Sequence, residues 1–327
     1  MKPVIITLGD PSGIGPEVVL RSLELIDPRL PVWLVGDWNL AQQTLQTLGM
    51  ATFLRRIREE ETDAASGTHL LIDVAVTAEE HRLEFGVMRE IYGRVALESI
   101  ETGLRLMERG LGSALVTAPI HKQALSEAGC PFPGHTELLA HRAGLTAYGR
   151  DYAMYFDSPT LKVVLLSVHV PLSEAILRLS AEQIAALAGL THQEYGNFYE
   201  KKPRIGVAGL NPHAGEGGMF GEEEMEIARG VDRAASQGMS ITGPHPADTI
   251  FRSAREGEFD VVMAMYHDQG LIPVKTLHFE ESVNVTLGLP YLRCSVDHGT
   301  AFDIAGKGVA NARPMAYAIE WAAKHGE

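Results

Sequence analysis

Seven short apolar runs recur along the chain, and stretches with helical periodicity separate them. The runs are VIITL (4–8), VWLVG (32–36), HLLIDV (69–74), ALVTA (114–118), KVVLLSV (162–168), RIGVAGL (204–210) and DVVMAM (260–265). Several are apolar at consecutive positions, which is typical of strands covered by helices on both faces of a sheet. The pattern therefore predicts an α/β protein with three layers, α/β/α.

Two of the intervening stretches have clear helical signals. Residues 85–110 place apolar side chains at helical spacing, and Ser180 with Gln183 occupies the positions of a capping box.

The length of 327 residues suits one large domain or two packed ones. We predict two domains. The first is 1–125 plus 300–327, and the second is 126–299.

Charge and cysteine content exclude several classes of protein. The net charge is -14, so nucleic acid would be repelled unless a local basic patch existed. The densest basic stretch, Arg55, Arg56 and Arg58, is followed at once by acidic residues and is interpreted as a solvated helix or loop face. Cys130 and Cys294 are too isolated for a disulfide framework or a thiolate zinc site. No nucleic-acid role is expected.

The chain lacks any uninterrupted apolar segment of about 18 residues, and its N-terminal apolar run is too short for the core of a signal peptide. We therefore expect no membrane partner and a cytoplasmic location.

Three of the predicted strands are followed by a histidine: His169 in SVHVPL, His213 in LNPHAGEGG and His267 in AMYHDQG. Ligands of open α/β sheets collect beyond the carboxyl ends of strands. Imidazole is a common zinc ligand, and three protein ligands with one open position are typical of a catalytic metal site. The three histidines therefore predict such a site. The glycines beside His213 leave clearance for ligands, and we expect positive φ at Gly215.

Carboxylates near these loops have two interpretations. Asp268 could fix the tautomer of a histidine ligand or simply cap a helix, and Asp248 could lie near the same cleft. The acidic run at 222–226 is interpreted as the first turn of a helix, where the helix dipole favours negative charge.

Two glycine-containing stretches could begin helices and receive anions there. GDPSGIGPE (9–17) fits neither common nucleotide-binding glycine motif, so it is either a tight turn or an anion site made of backbone amides. In GHTELLAH (134–141), Thr136 could cap a helix with His135 just outside it.

Lys275, Asn284 and Arg293 lie in strand-like segments that follow the His267 loop. A charged side chain among apolar residues needs an anionic partner. A small phosphorylated substrate would supply one, and a structural salt bridge to Glu280 or Glu281 is the alternative.

Seven ordered motifs resemble the 4-hydroxythreonine-4-phosphate dehydrogenase (PdxA) family. They are GDPSGIGPE, PGHTELLAH, LNPHAGEGG, GPHPADT, AMYHDQGL, VNVTLGLPYLR and SVDHGTAFDIAGKG. The resemblance runs from the first strand to about residue 310. The segment DHGTAFDIAGKGVAN (297–311) is also similar to the nucleotide loop of isopropylmalate and isocitrate dehydrogenases. It implies the fold of those enzymes, two α/β domains flanking a cleft.

The resemblance implies roles for individual residues. The metal ligands would be His169, His213 and His267, with Asp248 and Asp268 as possible supporting or catalytic groups. The substrate contacts would be His135, Thr136, Lys275, Asn284 and Arg293. The cofactor contacts would be His298, Gly299, Thr300, Asp303 and Asn311. The resemblance also implies a homodimer with its active site shared between subunits.

The implied reaction is a metal-assisted oxidation of the substrate 3-hydroxyl, with NAD or NADP as hydride acceptor and Zn²⁺, Co²⁺, Mn²⁺ or Mg²⁺ as the metal. The resulting β-keto acid can lose carbon dioxide to give an aminoacetone phosphate. A similar subgroup oxidises 4-phospho-D-threonate or 4-phospho-D-erythronate, and the sequence leaves this alternative open. A phosphate-ligand transferase or a metabolite-binding protein on the same fold is the alternative from another class.

Overall fold

A computed structural model describes residues 1–67 and 69–326. The chain forms two compact units: unit 1 comprises Met1–Leu139 and Tyr291–Glu327, and unit 2 comprises Ala140–Pro290. Unit 1 includes residues 126–139 and 291–299, which were predicted to belong to the second domain.

Unit 1 is built on parallel strands. The strands are β1 (Val4–Thr7), β2 (Val32–Gly36), β3 (Arg55–Ile57), β4 (Leu70–Asp73), β5 (Ala114–Thr117) and, near the C-terminus, β12 (Arg293–Ser295). The helices are α1 (Gly15–Ser22), α2 (Trp38–Leu48), α3 (Glu90–Glu108), α4 (Lys122–Glu127) and α11 (Arg313–His325), with a 3-10 helix at Glu59–Ala64. The strand order is β3-β4-β2-β1-β5-β12, and every pair is parallel.

Burial explains why these segments form strands. Val4–Thr7 and Val32–Gly36 are buried at every position, as expected for central parallel strands. Helix α3 packs against β1 and β2, and Tyr92 and Val95 on α3 form a buried cluster with Leu40 on α2. The hydrophobic effect of this burial fixes the helices on the sheet.

Unit 2 combines antiparallel and parallel pairs. Its strands are β6 (Ala153–Asp157), β7 (Val163–Leu165), β8 (Arg204–Ala208), β9 (Ser240–His245), β10 (Val261–Ala264) and β11 (Val283–Leu287). Its helices are α6 (Leu172–Arg178), α7 (Ala181–Tyr199), α8 (Glu223–Ser236), α9 (Ala247–Arg255) and α10 (His267–His278), with a 3-10 helix at Pro212–Gly218. Helix α5 (His135–Arg142) spans the boundary of the units.

The order in unit 2 is β11-β6-β7-β10-β8-β9. Strand β6 is antiparallel to both of its neighbours, whereas β7, β10, β8 and β9 run parallel. The core beneath them includes Phe156, Val163, Val262 and Leu271, all nearly inaccessible to solvent. This arrangement brings the carboxyl ends of β7, β10 and β8 to one edge of the sheet.

The α/β class predicted from the sequence is confirmed, and all seven apolar runs contain a strand. The Ser180 side chain accepts a hydrogen bond from the Gln183 N–H (3.3 Å), so the predicted cap of α7 is confirmed. No helix in residues 1–67 and 69–326 is both long and apolar enough to cross a membrane.

Two local predictions were wrong. Arg55 and Arg56 are exposed, as expected, but they lie in strand β3 and not in a helix or loop. Lys275 lies in helix α10 and not in a strand-like segment. Its neighbours Leu271 and Val274 are buried while Ile272 is exposed, which is the periodicity of a helix.

Candidate functional site

The three histidines predicted as metal ligands follow three neighbouring parallel strands of unit 2. His169 follows β7, His213 follows β8, and His267 is the first residue of α10, the helix that follows β10. Strand β10 pairs with both β7 and β8. Because the strands are parallel, all three histidine loops leave the same edge of the sheet, where ligands of α/β proteins collect.

The structure brings two of these histidines together. The ring centroids of His169 and His267 lie 5.7 Å apart. Zn–N bonds of about 2.0 Å in tetrahedral geometry hold two imidazole centroids roughly 5 Å apart, so the observed spacing is close to that of two zinc ligands. His213 does not join the pair: within the described part of the chain, no three His, Cys, Asp or Glu side chains form a group that could hold a metal ion.

Hydrogen bonds connect the loops that carry the histidines. The Ser167 hydroxyl donates to the Met265 carbonyl (2.9 Å), linking the His169 loop to the end of β10. Gln269 accepts from the Met265 N–H (2.6 Å) and donates to the Gly209 carbonyl (2.8 Å), so it links β10 to the His213 loop. Gln269 is nearly buried. Sequence reasoning missed it, although it lies two residues after His267.

The loop around His213 has an unusual backbone. All five residues of 213–217 have positive φ, and the value at His213 is 54°. Left-handed conformation costs a non-glycine residue about 1–2 kcal/mol, and Ala214 and Glu216 also adopt it. Gly215 has φ of 78°, so the predicted positive value is confirmed. Contacts from elsewhere in unit 2 must therefore hold this loop.

Asp268 contacts His267 directly, since Nδ1 of His267 lies 2.7 Å from Oδ1 of Asp268. A carboxylate at Nδ1 favours the tautomer in which Nε2 is the ligand nitrogen. Asp268 also lies in the first turn of α10, where the helix dipole favours it. Both interpretations of this residue therefore fit the geometry. Asp248 is exposed in the first turn of α9.

A buried cation and a neutral histidine lie in unit 1. Arg293 on β12 is only 2% exposed and donates from Nη2 to Oγ1 of Thr117 (2.7 Å), and burial lowers its pKa to about 10. Burial, together with the positive charge of Arg293, holds the pKa of His135 well below its usual value. The Nε2 atom of His135 is buried without a hydrogen-bond partner in the described residues. Such an atom is suited to bind a ligand.

The other predicted substrate residues lie on regular elements. Thr136 was predicted to cap a helix with His135 just outside it, but α5 begins at His135, so both residues lie in the first turn. Lys275 is half-buried on α10. Asn284 lies on β11, and its Oδ1 is buried with no hydrogen-bond partner among the residues that the structure describes.

The segment predicted to bind the cofactor, which includes Thr300, contacts the N-terminal glycine-rich turn (9–17). The Thr300 carbonyl accepts from the Ile14 N–H (2.9 Å). A Cβ atom on Gly13 would lie 2.9 Å from the same carbonyl, so only glycine allows this approach. The ring of Phe302 stacks on His121 with centroids 4.9 Å apart. The GDPSGIGPE turn and His121 therefore hold this segment in place.

Two of the predicted cofactor residues make hydrogen-bond contacts close to their own position in the chain. Nδ1 of His298 lies 3.1 Å from the Gly299 carbonyl, and Oδ1 of Asn311 accepts from the Arg313 N–H (3.0 Å). Asp303 and Asn311 are exposed.

Comparison with known proteins shows close relatives along the whole chain. The sequence profile of the family described as "Pyridoxal phosphate biosynthetic protein PdxA" matches residues 29–322. The chain is 41% identical to the 4-hydroxythreonine-4-phosphate dehydrogenase of Beijerinckia indica, with 98% of this chain and 94% of the relative covered. It is also 41% identical to the D-threonate 4-phosphate dehydrogenase of Cupriavidus necator, with 98% and 97% covered.

A solved structure shows the same similarity. The crystal structure of 4-hydroxythreonine-4-phosphate dehydrogenase from Klebsiella pneumoniae matches with a TM-score of 0.89 and 38% identity, and covers 100% of both chains. The family predicted from the sequence motifs is confirmed, and with it the isocitrate dehydrogenase-like fold class. This chain belongs to the PdxA family.

Proposed function

We propose that the chain is a metal-dependent and NAD(P)-dependent dehydrogenase that oxidises the 3-hydroxyl of 4-phosphooxy-L-threonine. The product, 2-amino-3-oxo-4-phosphooxybutanoate, is a β-keto acid, and its decarboxylation gives 3-amino-2-oxopropyl phosphate. The family description names pyridoxal phosphate biosynthesis as the pathway. The observation that carries the proposal is the position of His169, His213 and His267 after three neighbouring parallel strands.

The three histidines would hold one divalent metal ion. Their imidazoles suit Zn²⁺ and accept Co²⁺, Mn²⁺ or Mg²⁺ when waters or carboxylates complete the coordination. The bound ion supplies Lewis-acid polarisation that favours ionisation of the substrate hydroxyl. Asp268 orients His267 through Nδ1, and the hydrogen bonds of Gln269 keep the loops of His267 and His213 in register.

Arg293 and His135 would bind the anionic groups of the substrate. The planar guanidinium of Arg293 can donate two parallel hydrogen bonds to phosphate or carboxylate. His135 stays neutral because its pKa is lowered, so it contributes one hydrogen bond without a second positive charge. Thr136, Lys275 and Asn284 complete the proposed substrate contacts.

His298, Gly299, Thr300, Asp303 and Asn311 would bind the nicotinamide cofactor, which accepts the hydride from C3 of the substrate. The support for this assignment is the resemblance of their segment to the nucleotide loop of related dehydrogenases. Asp248 is a candidate supporting or catalytic group by the same resemblance. The proposed hydride acceptor is either NAD or NADP.

The second candidate substrate is 4-phospho-D-threonate. It is favoured by the relative of Cupriavidus necator, which carries that name and is as similar to this chain as the hydroxythreonine phosphate enzyme of Beijerinckia indica. The two substrates differ at C2, where one has an amine and the other a hydroxyl. The same cationic residues would bind both. 4-Phospho-D-erythronate is a further alternative substrate, and the assay that follows includes it.

A panel of these phosphorylated four-carbon acids, assayed with NAD and with NADP by the absorbance of the reduced nicotinamide, tests the proposal. We expect the highest kcat/KM with 4-phosphooxy-L-threonine, loss of activity with a chelator, and recovery when a divalent metal is restored. If 4-phospho-D-threonate were the only acid oxidised, the second candidate substrate would be correct and the first would be wrong. No nucleotide reduction with any member of the panel would overturn a dehydrogenase function and favour a transferase or a binding protein.

We also propose a homodimer that shares its active sites, located in the cytoplasm. Unit 2 carries large apolar side chains on its surface, which supports association because exposed apolar area favours burial. Examples are Leu172, Leu177, Met219, Ile272 and Phe279, which are between 53% and 85% exposed.

A further inference from the structure

A buried carboxylate holds the loop that carries His213. Glu224 lies in the first turn of α8 and is 8% exposed. Its Oε1 accepts hydrogen bonds from the backbone N–H groups of Leu210 (3.0 Å) and Asn211 (2.6 Å), and its Oε2 accepts from Nδ2 of Asn211 (2.9 Å). A buried carboxylate is tolerated only when donors satisfy it. These charge-assisted bonds therefore fasten the start of the loop to α8.

The middle of the same loop closes over the same carboxylate. Gly215 is buried, and a Cβ atom at this position would lie 2.9 Å from Oε2 of Glu224. The loop therefore touches Glu224 at residues 210–211 and again at Gly215. His213 lies between these two contacts, in a left-handed conformation that a non-glycine residue rarely adopts without support.

We propose that Glu224 is the positioning residue of His213: its carboxylate fixes the left-handed loop and thereby sets the affinity of the site for a divalent metal ion. This inference rests on the proposed function, in which His213 is a metal ligand. The sequence alone placed Glu224 among ordinary acids of a helix start.

The test compares Glu224→Gln with a matched neighbour. Glutamine keeps one oxygen for the backbone donors but turns an N–H₂ donor toward Nδ2 of Asn211 and removes the negative charge. Glu222→Gln is the control, since Glu222 is exposed. Glu223 is unsuitable because its Oε2 also accepts from Nδ2 of Asn211 (2.7 Å).

The measured quantity is the Zn²⁺ dissociation constant of the full chain, by competition with a chromophoric chelator. We expect Glu224→Gln to raise it about 10- to 100-fold, the range found when a group that orients a metal ligand is lost, and Glu222→Gln to leave it unchanged. If Glu224→Gln does not fold, Asn211→Ala is used in its place. It removes the side-chain bonds from Nδ2 to Glu224 and Glu223 but keeps the backbone bond to Glu224, so it should raise the constant by a smaller factor.

A second readout separates positioning from simple stabilisation. Zn²⁺ raises the melting temperature of a protein that binds it when folded. If Glu224 only stabilises the fold, Glu224→Gln lowers the melting temperature equally with and without Zn²⁺. If Glu224 positions a ligand, the rise caused by Zn²⁺ becomes smaller. An equal loss in both conditions overturns the inference.

His213→Ala, measured in parallel, distinguishes failure of this inference from failure of the proposed function. In one outcome, His213→Ala weakens Zn²⁺ binding but folded Glu224→Gln binds Zn²⁺ like the wild type. The positioning role of Glu224 is then wrong, and His213 remains the proposed ligand. Asn211→Ala replaces Glu224→Gln in this comparison if the latter does not fold. If His213→Ala also binds like the wild type, the ligand assignment itself is wrong and the positioning role with it.

Discussion

His135 is a histidine whose protonation is determined by its buried surroundings. The fold class alone does not predict its pKa. Its imidazole lies where burial and the charge of Arg293 both disfavour a second positive charge. Two cations this close would repel each other in a medium of low dielectric constant. A neutral imidazole next to a guanidinium is therefore the stable arrangement. In the proposed substrate site, it would offer a phosphorylated substrate one cation and one hydrogen-bonding group.

The lowered pKa of His135 predicts a dependence of stability on pH. Below about pH 6.5, the usual pKa of histidine, the unfolded chain binds a proton at His135 that the folded chain does not. Stability is therefore lost as the pH falls below that value, by up to about 1.4 kcal/mol per pH unit from this residue. We expect His135→Gln to lose less stability than the wild type between about pH 7 and pH 5.

Denaturant unfolding at several pH values measures this difference, because the other histidines are common to both chains. Parallel profiles for the wild type and His135→Gln would contradict a lowered pKa at this position. The same variant should weaken substrate binding even at pH values where its stability equals that of the wild type.

At the scale of elements, the seven strands that lie in the apolar runs were predictable because buried parallel strands are apolar on both faces. Strand β9 was missed: it lies at the edge of its sheet and contains Gly243 and Pro244, which are poor strand formers. Helix α10 was mistaken in part for a strand because Pro273 lies inside it and its last turns are rich in apolar residues. Packing against the core overrode those local preferences.

The sequence predicted where the candidate site residues lie in the chain. The position of the three histidines after strands was predictable because each follows an apolar run, and a strand end is a local signal; their role as metal ligands stays a prediction. Glu224 and Gln269 could not be found, since each acts on the backbone of a loop that is distant in sequence. Hydrogen bonds of this kind exist only once the strands have been ordered in a sheet.

Two glycines of the His213 loop separate two effects of adding a side chain: the strain of a left-handed backbone and the collision of the new Cβ atom with a neighbour. Gly215 and Gly217 both have positive φ, 78° and 68°. A Cβ atom at Gly215 would collide with Glu224, whereas at Gly217 it would meet nothing within 4 Å. Both alanine variants should share a backbone cost of about 1 kcal/mol, but only Gly215→Ala should displace His213.

We therefore expect Gly215→Ala to lower kcat and Zn²⁺ affinity by on the order of 10²-fold, since a shift of about 1 Å in a reacting site has that effect. Gly217→Ala should lose stability with little loss of activity. Equal kinetics in the two variants would mean that the packing of Gly215 against Glu224 has no influence on the site.

At the scale of the whole molecule, overall charge and local charge act in opposite directions on an anionic substrate. The chain carries a net charge of -14, which repels phosphorylated molecules at a distance. Salt screens such repulsion beyond about 8–10 Å, so binding depends on cations within the site. Arg293, which is buried, is the cation that we propose for this role.

The proposed sharing of active sites between two subunits can be tested by complementation. His213→Ala removes a proposed metal ligand and Arg293→Met removes the proposed anion-binding group, so each homodimer should be inactive. In a heterodimer of the two variants, one shared site receives both defects and the other receives neither. Heterodimers purified through two different affinity tags should therefore recover activity at about half of their sites.

Activity is recovered only if the two changed residues of a site come from different subunits. A second heterodimer, of His213→Ala with Lys275→Met, is therefore needed in case His213 and Arg293 come from the same subunit. Recovery in either pair supports shared sites, because a site built within one chain would keep a defect in every subunit of the heterodimer. If both heterodimers remain as inactive as the parent homodimers, while each variant still folds, these proposed groups act within a single chain. The exposed apolar side chains of unit 2 would then have another explanation than the assembly of the active site.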